Sequence, residues 1–218
     1  MKAVHLAETG CLDAIVTAPI NKEAMNLAGH HYPGHTELLA HLTGSKDVGM
    51  MILGGPLKIM FVTTHVALRD LPATLTVERV GRAIRLAHRA LREYFEVRRP
   101  QIGVAALNPH AGEAGLFGDE ERVVILPAAR QARSEGINAT DPLPADTLFG
   151  KAARGEYDGV VAMYHDQGLP VIKHAGFGRA VNVTLGLSIR RASVESARAI
   201  STICCSATDR SRTSVIGS

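Results

Sequence analysis

The sequence predicts an α/β protein built on a mostly parallel sheet. Three observations carry this. Short apolar runs alternate with amphipathic stretches of helical period along most of the chain. Most consecutive apolar runs are separated by a helix-length connection, as crossovers between parallel strands require. Several runs also end abruptly in polar groups, as strands do at the ligand-binding edge of an open sheet.

Taken in order, Met1 opens directly into a helical pattern at 2–9, without the strand that usually starts such a domain. "DAIVTAP" (13–19) reads as the first strand and is followed by helices at 21–28 and 36–43, the second with Thr36 as its N-cap. Strands at 48–53 and 58–64 flank "GGP", which suits a hairpin or tight reversal. A helix over 76–96 carries Val77, Val80, Ile84, Leu91 and Phe95 on one face, leaving its arginines on a solvated face. Then come strand 101–107, helices 119–135 and 145–154, strand 158–164, helix 166–173 and strand 180–186. After "VNVTLGL" the pattern fails. The Ser-, Arg- and Thr-rich stretch 188–218 reads as a divergent tail, disordered or frame-shifted, behind a core at 1–187.

Composition narrows the function. The 218 residues suffice for one substantial domain or two small ones, and 46% hydrophobic with 21% charged residues is ordinary for a globular protein. No apolar run nears the roughly 18 residues of a membrane span, and no signal peptide is apparent. Cys11, Cys204 and Cys205 make neither a disulfide framework nor a zinc-ligand spacing, so a cytoplasmic setting is expected. A net charge of +3 with scattered cations, no Trp and 4% aromatics argue against nucleic-acid binding.

The candidate chemistry lies at strand ends. "FVTTH" delivers His65, "GVAALNPH" delivers His110 and "VVAMYH" delivers His165. Each alone reads better as a surface or loop residue near a strand end. That all three share one apolar-to-polar transition points toward a metal site with open positions. "YPGHTELL" places His35 and Thr36 at a helix start, where an anion such as phosphate can bind, though the local pattern alone favours a plain capped helix. Lys173 can pair with a phosphate or serve as a base if its pKa is depressed. "GFGR" precedes a strand and lacks a third glycine, so it is no dinucleotide fingerprint.

Together "VTAPINKEA", "GHTE", "TTHVALRD", "LNPHAGE", "PLPADTLF", "YHDQGLPVIK" and "GFGRAVNVTLGL" resemble the 4-hydroxythreonine-4-phosphate dehydrogenase family, in family order. The resemblance implies an isocitrate/isopropylmalate dehydrogenase-like two-lobed fold, incomplete here at the N-terminus, in a homodimer with a shared active site. It implies a divalent metal (zinc, magnesium or cobalt) on His65, His110 and His165, with His165 completing the partner's cluster. It further implies substrate binding by His35, Thr36, Lys173, Asn182 and Arg191, and an NAD or NADP cofactor. Asp146 and Asp166 match acidic residues near the family's active site, and Lys173 or Asp166 would transfer the proton.

The implied reaction is oxidation and decarboxylation of 4-hydroxythreonine 4-phosphate to 3-amino-2-oxopropyl phosphate, a vitamin B6 precursor. Relatives that oxidise 4-phosphothreonate or 4-phosphoerythronate, or an aromatic dihydrodiol, share these motifs. A non-catalytic metal-binding fragment is the reading from another class, and a zinc hydrolase fits a three-histidine site taken alone. Where the family continues with an Asp-His-Gly triplet, Glu195, Ser196 and Ala197 stand here. That departure and the missing N-terminal part predict weak or no dehydrogenase activity for this chain by itself.

Overall fold

The computed structural model describes residues 2–17, 21–32, 34–176, 179–194 and 213–216. The chain divides into two compact units, Met1–Met50 with Gly178–Ser218, and Met51–Phe177.

In the first unit, α1 (Lys2–Glu8) leads into β1 (Ala14–Thr17), followed by α2 (Lys22–Leu27) and α3 (His35–Leu42). Asn21 caps α2, its side-chain oxygen accepting from the N–H groups of Glu23 and Ala24 at 2.9 and 3.1 Å. The cap of α3 is Gly34, with no side-chain bond, and not Thr36, which lies inside the first turn. The Thr36 hydroxyl is taken up by a tertiary contact instead. Beyond the second unit, β7 (Val181–Leu185) runs antiparallel to β8 (Arg191–Val194), and β1 pairs in parallel with β8 and with β9 (Thr213–Ile216). Val4, Ile15, Leu39, Leu187 and Ile189 form the buried cluster beneath these strands. The tail set apart at 188 thus contributes paired strands, while its residues 195–212 and 217–218 lie outside those described.

The second unit orders its strands β5-β4-β6-β3-β2, with β2 (Gly49–Gly54), β3 (Leu57–Phe61), β4 (Gln101–Ala105), β5 (Asn138–Leu143) and β6 (Gly159–Ala162). The strands β2 and β3 form the expected hairpin, with Gly54 opposite Leu57, and the β3–β6, β6–β4 and β4–β5 pairs are parallel. Its helices are α4 (Leu71–Thr74), α5 (Val77–Glu93), α6 (Leu126–Ser134), α7 (Ala145–Ala153) and α8 (His165–Ala175). Thr76 caps α5 by accepting from Arg79 N–H at 3.2 Å. The buried face of α5 holds Val80, Ile84 and Leu91, each fully covered and each contributing about 1.5–3 kcal/mol relative to exposure.

One difference from the sequence reading bears on the site. The helix expected over 119–135 starts with a π turn at Glu121–Ile125 before α6, which turns Glu121 inward. The helix expected over 166–173 forms as α8 and runs through Gly168, Leu169 and Pro170.

Candidate functional site

The second unit gathers the strand-end histidines. β3 ends at Phe61, and the chain stays in register with β6 for two residues more. Val62 N–H donates to Ala162 O at 2.9 Å, and the Thr63 hydroxyl donates to Met163 O at 2.8 Å. These bonds bring His65 beside His165, the first residue of α8, with ring centroids 5.8 Å apart and planes tilted by 38°. Phe61 lies on another side of the His165 ring, 6.3 Å between centroids. Asp166 contacts His165 Nδ1 at 2.7 Å. A carboxylate accepting from Nδ1–H leaves Nε2 as the lone-pair nitrogen, the form suited to a ligand.

Gly168 makes this placement possible. A Cβ there would lie 2.9 Å from Ile59 Cγ2 and 3.1 Å from Phe61 Cε1, so only glycine lets the first turns of α8 close on β3. Gln167 ties α8 to two strand ends, accepting from Met163 N–H at 2.7 Å and donating to Ala106 O at 2.6 Å.

His110 sits in a different local structure. Residues 110–114 all have positive φ, from 42° to 75°, forming a left-handed turn in which only Gly112 is a glycine. Each non-glycine residue held there costs about 1 kcal/mol or more, so neighbouring bonds must hold the turn. His110 lies against Phe117, 6.4 Å between centroids. Among the described residues no group of three or more His, Cys, Asp and Glu could hold a metal ion. His65 and His165 are ring neighbours, but with His110 they form no such group. The resemblance assigns His165 to a partner's cluster, whereas here its ring neighbours His65 of the same chain. Asp146 is exposed in the first turn of α7, accepting from Thr147 N–H at 2.9 Å, and Lys173 is exposed on the last turn of α8.

The first unit contains a second constellation. Arg191 opens β8 and is only 5% exposed. Its Nη1 donates to Thr184 Oγ1 at 2.6 Å and more weakly to Thr36 Oγ1 at 3.4 Å, and Nη2 donates to Thr17 Oγ1 at 2.9 Å. Among the described residues its Nε is buried without a hydrogen-bond partner, as is Asn182 Oδ1 on β7. Burial pushes the guanidinium down to about 10, with Glu37 acting the other way. Burial, and then the Arg191 charge, hold the His35 imidazole below its ordinary 6.5, favouring its neutral form. Threonine hydroxyls satisfy hydrogen bonds but neutralise no charge. A cation so enclosed is short of an anion. Sequence reasoning listed Arg191, Thr36, His35 and Asn182 but missed Thr17 and Thr184. Each of these is the lone hydroxyl in an apolar strand, "AIVT" and "VNVTL", which is the signal that could have found them.

Comparison with known proteins decides the family, because the model described as pyridoxal phosphate biosynthetic protein PdxA matches residues 1–208. The chain belongs to the PdxA family. It is 56% identical over 194 residues to 4-hydroxythreonine-4-phosphate dehydrogenase of Geobacter metallireducens, covering 89% of this chain and 57% of that protein. It is 52% identical over 194 residues to a putative D-threonate 4-phosphate dehydrogenase of Oceanobacillus iheyensis, covering 88% and 58%. The crystal structure of 4-hydroxythreonine-4-phosphate dehydrogenase from Klebsiella pneumoniae superposes with a TM-score of 0.85 at 48% identity, over 92% of this chain and 61% of that one. The PdxA chain described here thus spans about six tenths of the length of the relatives it matches. The family match also runs past position 187, through β8 and into residues outside those described.

Proposed function

We propose that this chain carries the catalytic and substrate-binding groups of a metal-dependent, NAD(P)-linked dehydrogenase. It would oxidise and decarboxylate 4-hydroxythreonine 4-phosphate to 3-amino-2-oxopropyl phosphate in vitamin B6 synthesis. The observation that carries this reading is the buried Arg191, surrounded by threonine hydroxyls and beside the start of α3, in a chain half identical to dehydrogenases of phosphorylated hydroxy acids. A guanidinium with an open Nε suits a phosphate or carboxylate, both of which the substrate has.

In this reading His35, Thr36, Asn182 and Arg191 hold the substrate's anionic and polar groups. His65, His110 and His165 are the proposed metal ligands, the set being completed in a homodimer. A divalent ion held by those histidines would supply the Lewis acidity that lowers the cost of deprotonating the substrate hydroxyl, and a nicotinamide cofactor would supply the hydride acceptor. Asp166 orients His165 through Nδ1 and lies close enough to the histidine pair to take the hydroxyl proton, while Lys173 is the alternative base. Asp146 is kept as an acidic neighbour. The fold is taken as isocitrate/isopropylmalate dehydrogenase-like, in a cytoplasmic setting. No helix among the described residues is long and apolar enough to cross a membrane.

One alternative has specific support. The Oceanobacillus iheyensis relative named for D-threonate 4-phosphate is nearly as similar as the one named for 4-hydroxythreonine 4-phosphate. The two substrates differ at the carbon bearing an amino or a hydroxyl group. Following NAD and NADP reduction with each substrate in turn, with zinc, magnesium or cobalt added, separates them. Reduction with neither, by a chain that binds both phosphate and metal, would overturn the dehydrogenase reading.

A further inference from the structure

The left-handed turn at residues 110–114 needs something to hold it, and the structure contains a buried carboxyl group that the proposed chemistry does not use. Glu121 is 5% exposed, carried inward by the π turn that precedes α6. Its Oε1 accepts from the backbone N–H groups of Leu107 and Asn108, at 2.8 and 2.7 Å. Its Oε2 accepts from Asn108 Nδ2 at 3.1 Å, and that amide also donates to Glu120 Oε2 at 2.7 Å. The same Oε2 faces Gly112 so closely that a Cβ there would fall 2.7 Å away. One carboxyl group therefore satisfies the two N–H groups that lead into the turn and braces its middle. Within the turn, Leu116 N–H donates to Glu113 O and Phe117 N–H to Gly112 O, both at 3.2 Å.

We propose that Glu121 is a positioning residue that holds the left-handed turn and so fixes where His110 is presented. It touches no substrate and acts only through the backbone of 107–112. The catalytic part of this inference rests on the reading of His110 as a site residue, whereas the positioning part rests on the hydrogen bonds alone. Oε1 makes both backbone bonds, so a glutamine can keep them and lose only the bond from Asn108 Nδ2, which retains Glu120. An aspartate keeps the charge but is one methylene too short to reach. The order of effect should follow reach, not charge.

The test uses the full chain labelled with 13C at histidine Cε1, with the His110 resonance assigned by loss in H110Q. Glu121→Asp and Glu121→Ala are expected to move the His110 resonance and leave that of His5, in the other unit, unchanged. Glu121→Gln should leave both where they are. If E121A does not fold, E121D and E121Q carry the comparison. An unmoved His110 resonance in E121D, or all histidine resonances moving together, overturns the proposal. So does a shift in E121Q as large as that in E121D.

In a dehydrogenase assay E121D should lower kcat on the order of 100-fold, the cost of a misplacement of about 1 Å, with KM for the nicotinamide unchanged. A wild-type chain without turnover refutes the proposed reaction, while the histidine spectra still decide the role of Glu121.

Discussion

Replacing Arg191 by methionine should weaken phosphate binding on the order of 100-fold without unfolding the protein. At neutral pH the guanidinium is charged, and its drop to about 10 corresponds to about 3 kcal/mol held against the charged form by burial. A base whose folded pKa is depressed destabilises the fold throughout the range below that pKa, and the cost is relieved only as pH rises above about 10 toward the ordinary arginine range. Thr17, Thr36 and Thr184 offset part of the lost hydration but supply no counter-charge. A bound phosphate supplies it, so up to about 3 kcal/mol becomes available to binding, on the order of 100-fold in Kd. Calorimetric titration with inorganic phosphate at pH 7.5 reads this directly in wild type and R191M. The expected results are binding by the wild type and affinity weaker by on the order of 100-fold in R191M. Unliganded R191M should unfold at a temperature no lower than wild type by more than the loss of two or three hydroxyl bonds, about 1 kcal/mol each. Phosphate affinity in R191M within about threefold of wild type would refute the argument, because the buried charge would then have no part in the site.

Sulfate affinity should rise as pH falls from 7.5 to 5.5, because a bound anion favours the protonated His35 that burial and Arg191 disfavour in the free protein, with exposed Glu37 opposing weakly. The gain is about tenfold for each pH unit by which the anion raises the imidazole, and it should be absent in H35Q. Without the anion the same group acts the other way: its contribution to stability is present above pH 6.5 and is lost as pH falls through the depressed folded value. Gly186→Ala should lower stability by about 3 kcal/mol in thermal unfolding, since φ is +83° and the new Cβ would meet the Asp47 carbonyl. Gly168→Ala should cost about 1–3 kcal/mol and, by lifting α8 from Ile59 and Phe61, should separate His165 from His65, visible as weaker zinc binding in calorimetry.

The elements legible in the sequence are those whose apolar pattern and burial agree. "MMIL", "KIMF", "GVVA" and the stripe of α5 were readable because hydrophobic burial alone selects them. β5 was not, because "NATDPL" is half polar and carries Pro142. It is the outermost strand of its unit, where a proline costs least. β8 was missed because "RASV" begins with a charge, and its strand character comes from pairing with β7 and β1. Local pattern could name Thr36 as a cap. It could not show that Gly34 fills that position and frees the Thr36 hydroxyl for Arg191, 155 positions away.

The same distinction separates the site residues that sequence found from those it missed. Histidines at strand ends stand out in a sequence because each breaks an apolar run with an imidazole. Glu121, Gln167, Thr17 and Thr184 look like ordinary surface polar residues, and only tertiary contact gives them work. Glu121 serves backbone N–H groups 13 and 14 positions earlier, and Gln167 reaches a carbonyl 61 positions away. These groups share one property that a sequence does not display: each is buried or half-buried and bonds to backbone or to a side chain outside its own element. Arg191 is the informative exception, covered but with its Nε without a hydrogen-bond partner among the described residues and only the exposed Glu37 acting on it as a counter-charge. Selection for stability alone would favour an apolar residue or a paired carboxylate there. A buried guanidinium among three hydroxyls, in a strand that sequence pattern had assigned to a failing tail, is therefore a cost to the fold that an anionic ligand would offset.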